Sequence, residues 1–120
     1  MQKRILVVDD DKMNLRRTSL ILEKQYDVLL TESGREALEK LKVETVDLIL
    51  LDIAMPGMSG IETFGRIKEM GLEIPVIFLT ASGHEDNVMT AIRMGAANYI
   101  KKPFMPKRLL ERVEKEFEKE

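Results

Sequence analysis

The stretch "DLILLDIAMPG", residues 47–57, carries four consecutive apolar residues, Leu48 to Leu51, straight into a single acid, Asp52. An apolar run this short, without strict polar alternation, reads as a strand buried on both faces. Similar runs occur at "ILVV" (5–8), "DVLL" (27–30), "DLILL" itself (47–51), "IPVIFL" (74–79) and "ANYI" (97–100). Between them lie stretches of helical length at 12–24, 34–42, 58–70 and 84–94, with a last one at 106–118. Strand and helix therefore alternate five times, which predicts a mostly parallel α/β sheet with right-handed crossovers and helices on both faces.

Local punctuation agrees. Ser33 with Glu36 three residues on is a candidate capping box, although Gly34 lies in its first turn. Ser59 is a cap ahead of "GIETFGRIKEM", where Ile61, Phe64 and Ile67 form the expected buried stripe, and Gly71 and Gly95 close two helices. In the last helix Leu110, Val113 and Phe117 are expected inside, leaving Glu111, Lys115, Glu118 and Lys119 outside. The first helix is less regular, since Met13, Ile21 and Leu22 must carry a face that also contains Arg17.

The 120 residues suit a single domain spanning 1–120, with no effector domain expected within it. A hydrophobic fraction of 44% and a charged fraction of 33% are ordinary for a globular chain. With 19 basic and 21 acidic residues and a net charge of -2, no overall basic field points to nucleic acid. The absence of cysteine removes disulfides, thiol nucleophiles and thiolate metal sites. Lys3 and Arg4 precede only four apolar residues, too short a run for a signal peptide or a membrane span, so a cytoplasmic location is expected.

In open parallel sheets, ligands bind beyond the carboxyl ends of the strands. There this chain places Asp9, Asp10 and Asp11, then Asp52, then Thr80 with Ala81 and Ser82, then Lys101, Lys102 and Pro103. One acid after the first strand would read as a helix cap, but three exceed what capping requires. Asp52 by itself could terminate a strand; among other acids it is a candidate functional group. Thr80 and Lys102 would be ordinary strand and surface residues anywhere else. Two of the early acids plus Asp52 suit a hard cation such as Mg²⁺, with Mn²⁺ as the alternative. His84, the only histidine, reads as a surface residue at a helix start, and zinc is disfavoured. A cation beside Asp52, with Lys102 and the Thr80 hydroxyl at hand, supplies the parts that phosphoryl transfer to a carboxylate needs.

Four segments, "ILVVDDD", "DLILLDIAMPGMSG", "PVIFLTAS" and "GAANYIKKPF", together resemble the receiver domain of two-component response regulators, from about Lys3 to Phe117. The resemblance implies a flavodoxin-like (βα)5 fold with strand order 2-1-3-4-5. It implies Asp52 as phosphoacceptor, Asp9 and Asp10 in the Mg²⁺ site with Asp52 and the backbone carbonyl of Ala54, and Asp10 as the more direct ligand of the two early acids. By the same likeness Thr80 and Lys102 bind the phosphoryl group, the Lys102-Pro103 peptide is cis, and Tyr99 is a switch aromatic that turns inward with Thr80. A sensor histidine kinase or a histidine phosphotransfer domain would be the donor. The fourth helix, last strand and last helix, including Val88 to Met94 and the surface around Arg108 and Arg112, would meet a downstream partner, an effector domain or a second copy. Neither nucleic acid nor membrane is expected to bind this chain. It would be a signalling phosphoacceptor, not a turnover enzyme, assisting its own phosphorylation and dephosphorylation.

Ala54 stands where related chains carry an acid two residues after the phosphoacceptor, which leaves the phosphorylated lifetime open. That alanine also argues against a haloacid-dehalogenase-type phosphatase, which needs an acid there. A flavin or dinucleotide binder is disfavoured because Asp9 to Asp11 would repel its phosphates. A receiver-shaped module that binds partners without being phosphorylated is the nearest rival, and the full set of reactive groups argues against it.

Overall fold

The computed structural model describes residues 2–81 and 85–119. Ser82 and His84 lie outside the described residues. The elements run β1 (Arg4–Val8), α1 (Lys12–Leu22), β2 (Asp27–Thr31), α2 (Gly34–Val43), β3 (Leu48–Asp52), α3 (Gly60–Glu69), β4 (Val76–Thr80), α4 (Glu85–Arg93), β5 (Asn98–Lys101) and α5 (Pro106–Glu118). All strand pairs are parallel and the sheet order is β2-β1-β3-β4-β5, the flavodoxin-like arrangement expected.

Side-chain alternation along the three inner strands splits the core in two. Leu6, Val8, Ile49, Leu51 and Phe78 face α2, α3 and α4, where Ala37, Phe64, Ile67 and Ala91 meet them. Phe64 packs edge to face on Phe78, with centroids 5.4 Å apart and an interplanar angle of 82°. Ile5, Val7, Leu48, Leu50, Ile77 and Leu79 face the other way, onto Leu15 and Leu22 of α1 and Leu109 and Val113 of α5.

Burial on both faces holds for β1, β3 and β4 and fails for the two edge strands. In β2 only Thr31 is buried, and in β5 only Ile100, because an edge strand has fewer neighbours to cover it. The face of α1 also differs from the expected one. Leu15, Thr18 and Leu22 are buried, whereas Met13, in the first turn, is 82% exposed. In α5 the fully buried residues are Leu109 and Val113; Leu110 and Phe117 are half-buried on the flank, Phe117 against Tyr26.

Capping follows the sequence with one variation. Ser33 Oγ accepts from the Glu36 N–H at 3.1 Å, but Glu36 reaches back to the Glu32 N–H at 3.3 Å, one residue before the capping residue. Ser59 Oγ accepts from the Glu62 N–H at 3.1 Å. Gly71 and Gly95 follow α3 and α4 at φ of 77° and 105°, where a side chain would be strained.

Candidate functional site

Register determines which residues meet at the sheet edge. Val8 pairs with Leu51, so Asp9 and Asp52, one residue further on, emerge side by side; Thr80 pairs with Lys101, which brings Lys102 beside them.

The three early acids have three different surroundings. Asp11 is the helix cap: its Oδ1 accepts from the N–H groups of Met13 at 2.9 Å and Asn14 at 3.3 Å. Asp9 points inward, is 1% exposed, and accepts the Asp11 N–H at 3.0 Å. Asp10 is exposed, yet a carboxylate oxygen from each of Asp9, Asp10 and Asp52 lies within 4.8 Å of the others. Capping thus accounts for one acid, and the remaining two converge on Asp52.

Asp52 is held by the loop that follows it. The Ala54 N–H donates to Asp52 Oδ1 at 3.3 Å, and the Gly60 N–H donates to the Ile53 carbonyl at 2.8 Å, closing the loop onto the strand end. Gly60 packs directly against the backbone of Asp52 and Ile53, so that a Cβ there would overlap the Asp52 carbonyl oxygen. Sequence reasoning missed this glycine. Its signal was a glycine immediately after the Ser59 cap, in a helical turn that gains nothing from backbone freedom.

Lys102 bridges the acids, donating from Nζ to Asp9 Oδ2 at 2.9 Å and Asp52 Oδ2 at 3.2 Å. Its backbone N–H donates to the Thr80 carbonyl at 2.7 Å, and the Lys102-Pro103 peptide is cis. Burial raises the Asp52 carboxyl from the usual 3.8 to about 6; the Lys102 charge opposes that shift and the Asp9 charge adds to it. Burial pulls the Lys102 ammonium down, but its hydrogen bond to Asp9 and the charges of Asp52 and Asp9 outweigh burial and hold it above the ordinary lysine value. One ammonium therefore faces three carboxylates and leaves their charge under-compensated. An all-oxygen donor set with excess negative charge fits a hard divalent cation, with Asp9, Asp10 and Asp52 as the residues able to hold it.

Thr80 and Tyr99 stand nearby in different arrangements. The Thr80 hydroxyl donates to the Ala81 carbonyl at 3.2 Å and to none of the carboxylates. Tyr99 is 40% exposed on β5, beside a cavity of about 160 Å³ lined by Thr80, Ala81, Val88, Met89, Tyr99 and Lys101. Ala54 is exposed.

A doubly wound sheet with acids and Lys102 gathered at one edge is the arrangement that the resemblance to receiver domains implies. Residues 5–114 match the model of the response regulator receiver domain, and the chain belongs to that family. It is 38% identical over 114 residues to the alkaline phosphatase synthesis transcriptional regulatory protein PhoP of Bacillus subtilis, covering 94% of this chain and 48% of that protein. It is 36% identical over 117 residues to the chemotaxis protein CheY of Bacillus subtilis, covering 96% of this chain and 98% of CheY. The CheY-like receiver domain structure from Methanospirillum hungatei JF-1 superposes with a TM-score of 0.93 at 33% identity, covering 99% of this chain and 96% of that one. The chain spans about half the length of regulators such as PhoP and all but a sliver of CheY. Among the described residues no helix is long and apolar enough to cross a membrane.

Proposed function

We infer that Asp52 is the phosphoacceptor of this receiver domain, and that residues 1–120 work as one receiver unit. The observation that carries the reading is the placement of a buried Asp52 with Lys102 Nζ at 3.2 Å and two further carboxylates within 4.8 Å. A carboxylate oxygen of Asp52 attacks the phosphorus of a phosphohistidine on a sensor kinase or phosphotransfer domain. The P–N bond breaks, the imidazole leaves, and an acyl phosphate remains. Asp9, Asp10, Asp52 and the Ala54 carbonyl would hold Mg²⁺ or Mn²⁺, which would supply charge neutralisation for the phosphoryl group. Lys102 contributes a second positive charge, at Asp52 Oδ2. The protein thereby assists its own phosphorylation and dephosphorylation without turning over a separate substrate.

The added charge then acts on Thr80. Its hydroxyl leaves the Ala81 carbonyl for a phosphoryl oxygen, and Tyr99 moves into the space beside it. The surface of α4, β5 and α5 changes as a result and controls a downstream partner or an effector domain, the latter by analogy with the longer regulators.

The test is intact mass after incubation with acetyl phosphate, with and without Mg²⁺, beside Asp52→Asn. A Mg²⁺-dependent gain of one phosphoryl group that vanishes in the variant supports the reading. No gain, together with no spectral response to beryllofluoride in a protein that binds Mg²⁺, would assign the chain to phosphorylation-independent binding.

A further inference from the structure

β2 ends the sheet and pairs with β1 alone. The Asp27 N–H donates to the Lys3 carbonyl at 2.9 Å, and the Thr31 carbonyl accepts from the Asp9 N–H at 3.2 Å. Asp27, Leu29 and Thr31 therefore turn their backbone groups towards β1, while Val28 and Leu30 turn theirs outward. The N–H groups flanking those two are occupied: Tyr26 donates to the Leu22 carbonyl at 2.9 Å and Glu32 to the Glu36 carboxylate at 3.3 Å. The N–H and C=O groups of Val28 and Leu30 have no partner among the described residues. Sheet edges are commonly guarded by lysine, proline or a bulge, and this strand, Asp-Val-Leu-Leu-Thr in unbroken register with β1, has none of them.

Alongside this edge runs a groove of about 510 Å³ between α1 and β2. Leu20 and Leu30 line it and are 55% and 39% exposed. Lys12, Arg16 and Glu32 stand towards the end nearer the acids of the site, a surplus of one positive charge, and Glu23 stands at the other end. The pattern is complementary to itself. A two-fold axis through Leu29, perpendicular to the sheet, sets two β2 strands antiparallel, with Val28 of each copy opposite Leu30 of the other. Both residues carry outward groups, so the two pairs exchange four N–H···O=C bonds. Sliding the strands by one residue sets outward groups against inward ones, and sliding by two leaves a single such pair. The same axis lays the two α1 helices antiparallel on one face, which merges the grooves around Leu20 and Leu30 and brings Glu23 of each copy towards Lys12 and Arg16 of the other. A strand of an unrelated protein could satisfy the backbone groups, but it would not meet the opposed charges in this register.

We propose that the chain self-associates through β2, joining two five-stranded sheets into one of ten strands, with the α1 groove of each copy closed by the other. The interface lies at the sheet edge opposite β5, away from Thr80 and Tyr99, so it forms with or without phosphorylation and does not rest on the reading of Asp52.

The test is sedimentation equilibrium of the full chain over a concentration series, with and without beryllofluoride. The expected result is a monomer–dimer equilibrium that beryllofluoride leaves unchanged. Glu23→Lys should weaken the dimer about tenfold by setting like charges together at two symmetric places, and the exchange variant Lys12→Glu, Glu23→Lys should restore it. Both residues are exposed, so circular dichroism of these variants should match the parent. Register is read by cross-linking, since the chain has no cysteine of its own. Leu29 faces its own copy in a pair without hydrogen bonds, with Cα atoms about 4.5 Å apart, so Leu29→Cys should form a disulfide-linked dimer under mild oxidation. It should do so faster than Val43→Cys, which is 79% exposed but off the interface. A chain that stays monomeric up to about 1 mM would overturn the proposal. So would a dimer indifferent to Glu23→Lys, a dimer that forms only with beryllofluoride, or a Leu29→Cys protein that cross-links no faster than Val43→Cys.

Discussion

The Arg17 guanidinium lies 5.0 Å from the centre of the Phe104 ring and donates to the Phe104 carbonyl at 2.6 Å, so that α1 holds the loop that carries Lys102. A charged residue that looked out of place on the first helix is thus the tie between that helix and the segment leading into α5. Arg17→Ala removes a cation–π contact and a charged hydrogen bond at an exposed position, together worth about 1 kcal/mol. The midpoint of urea unfolding should fall accordingly, and Arg17→Lys should recover part of the loss. An unchanged midpoint in Arg17→Ala would show that the tie contributes nothing.

Asp52 sets the pH response of the metal-free protein. Its carboxyl titrates at about 6 when folded against an ordinary 3.8, so the folded state binds the proton more tightly than the unfolded one. Between those two values the folded chain carries the extra proton, and stability from this group falls as pH rises. It is fully present below about 4 and lost above about 6. Asp52→Asn should therefore be more stable than the parent at pH 7.5 without Mg²⁺, and the difference should shrink steadily towards pH 4. Chemical denaturation at several pH values with a chelator present measures this, and a difference that stayed constant with pH would refute it.

Lys102 is the only side chain hydrogen-bonded to both Asp9 and Asp52 among the described residues. Lys102→Gln leaves the two carboxylates facing each other with no ammonium between them. At pH 7.5 in chelator the cost should be about 1–3 kcal/mol, less than for a completely buried pair because the ammonium keeps part of its hydration. Added Mg²⁺ should narrow the gap to the parent by restoring positive charge near Asp9, Asp10 and Asp52. Thermal midpoints of both proteins across a Mg²⁺ titration decide it: parallel curves would mean that the cation and the lysine do not compensate the same charge.

The parts of the molecule that were legible in advance are those where sequence acts locally. Short apolar runs at 5–8 and 47–51 specify buried inner strands, and the order of acids, threonine and lysine along the chain places them at one edge of the sheet. Partial burial of β2 and β5 was not legible in their apolar runs, which look like those of the inner strands; it follows from the strand order, which sets both at the edges. Nor could spacing divide Asp9, Asp10 and Asp11 into an inward acid, an exposed acid and a cap, since that depends on where β1 ends and α1 begins. The roles of Arg17 and Gly60 were missed for a shared reason: each acts on backbone that its local pattern does not identify, 87 residues away for Arg17 and across a loop for Gly60.

Gly60 provides the sharpest contrast. A Cβ at this position would overlap the Asp52 carbonyl oxygen and approach Ile53 Cα to 2.8 Å and the Asp52 carbonyl carbon to 2.9 Å. All three neighbours are backbone, so relief requires moving the start of α3 or the end of β3, and the latter carries the Asp52 side chain. Gly65, five residues along the same helix, has only Met94 Cε near, at 3.7 Å, an ordinary contact. Gly65→Ala should therefore stabilise by about 0.5–1 kcal/mol through the better helix propensity of alanine. Gly60→Ala should instead destabilise by about 2–4 kcal/mol and slow phosphoryl uptake from acetyl phosphate at a temperature where it is still folded. The pair is measured by denaturant unfolding and by the rate of mass gain. A Gly60→Ala protein that unfolds like the parent would mean the loop can shift without cost, and one that is destabilised but takes up phosphoryl at the parental rate would mean that Gly60 supports the fold without positioning Asp52.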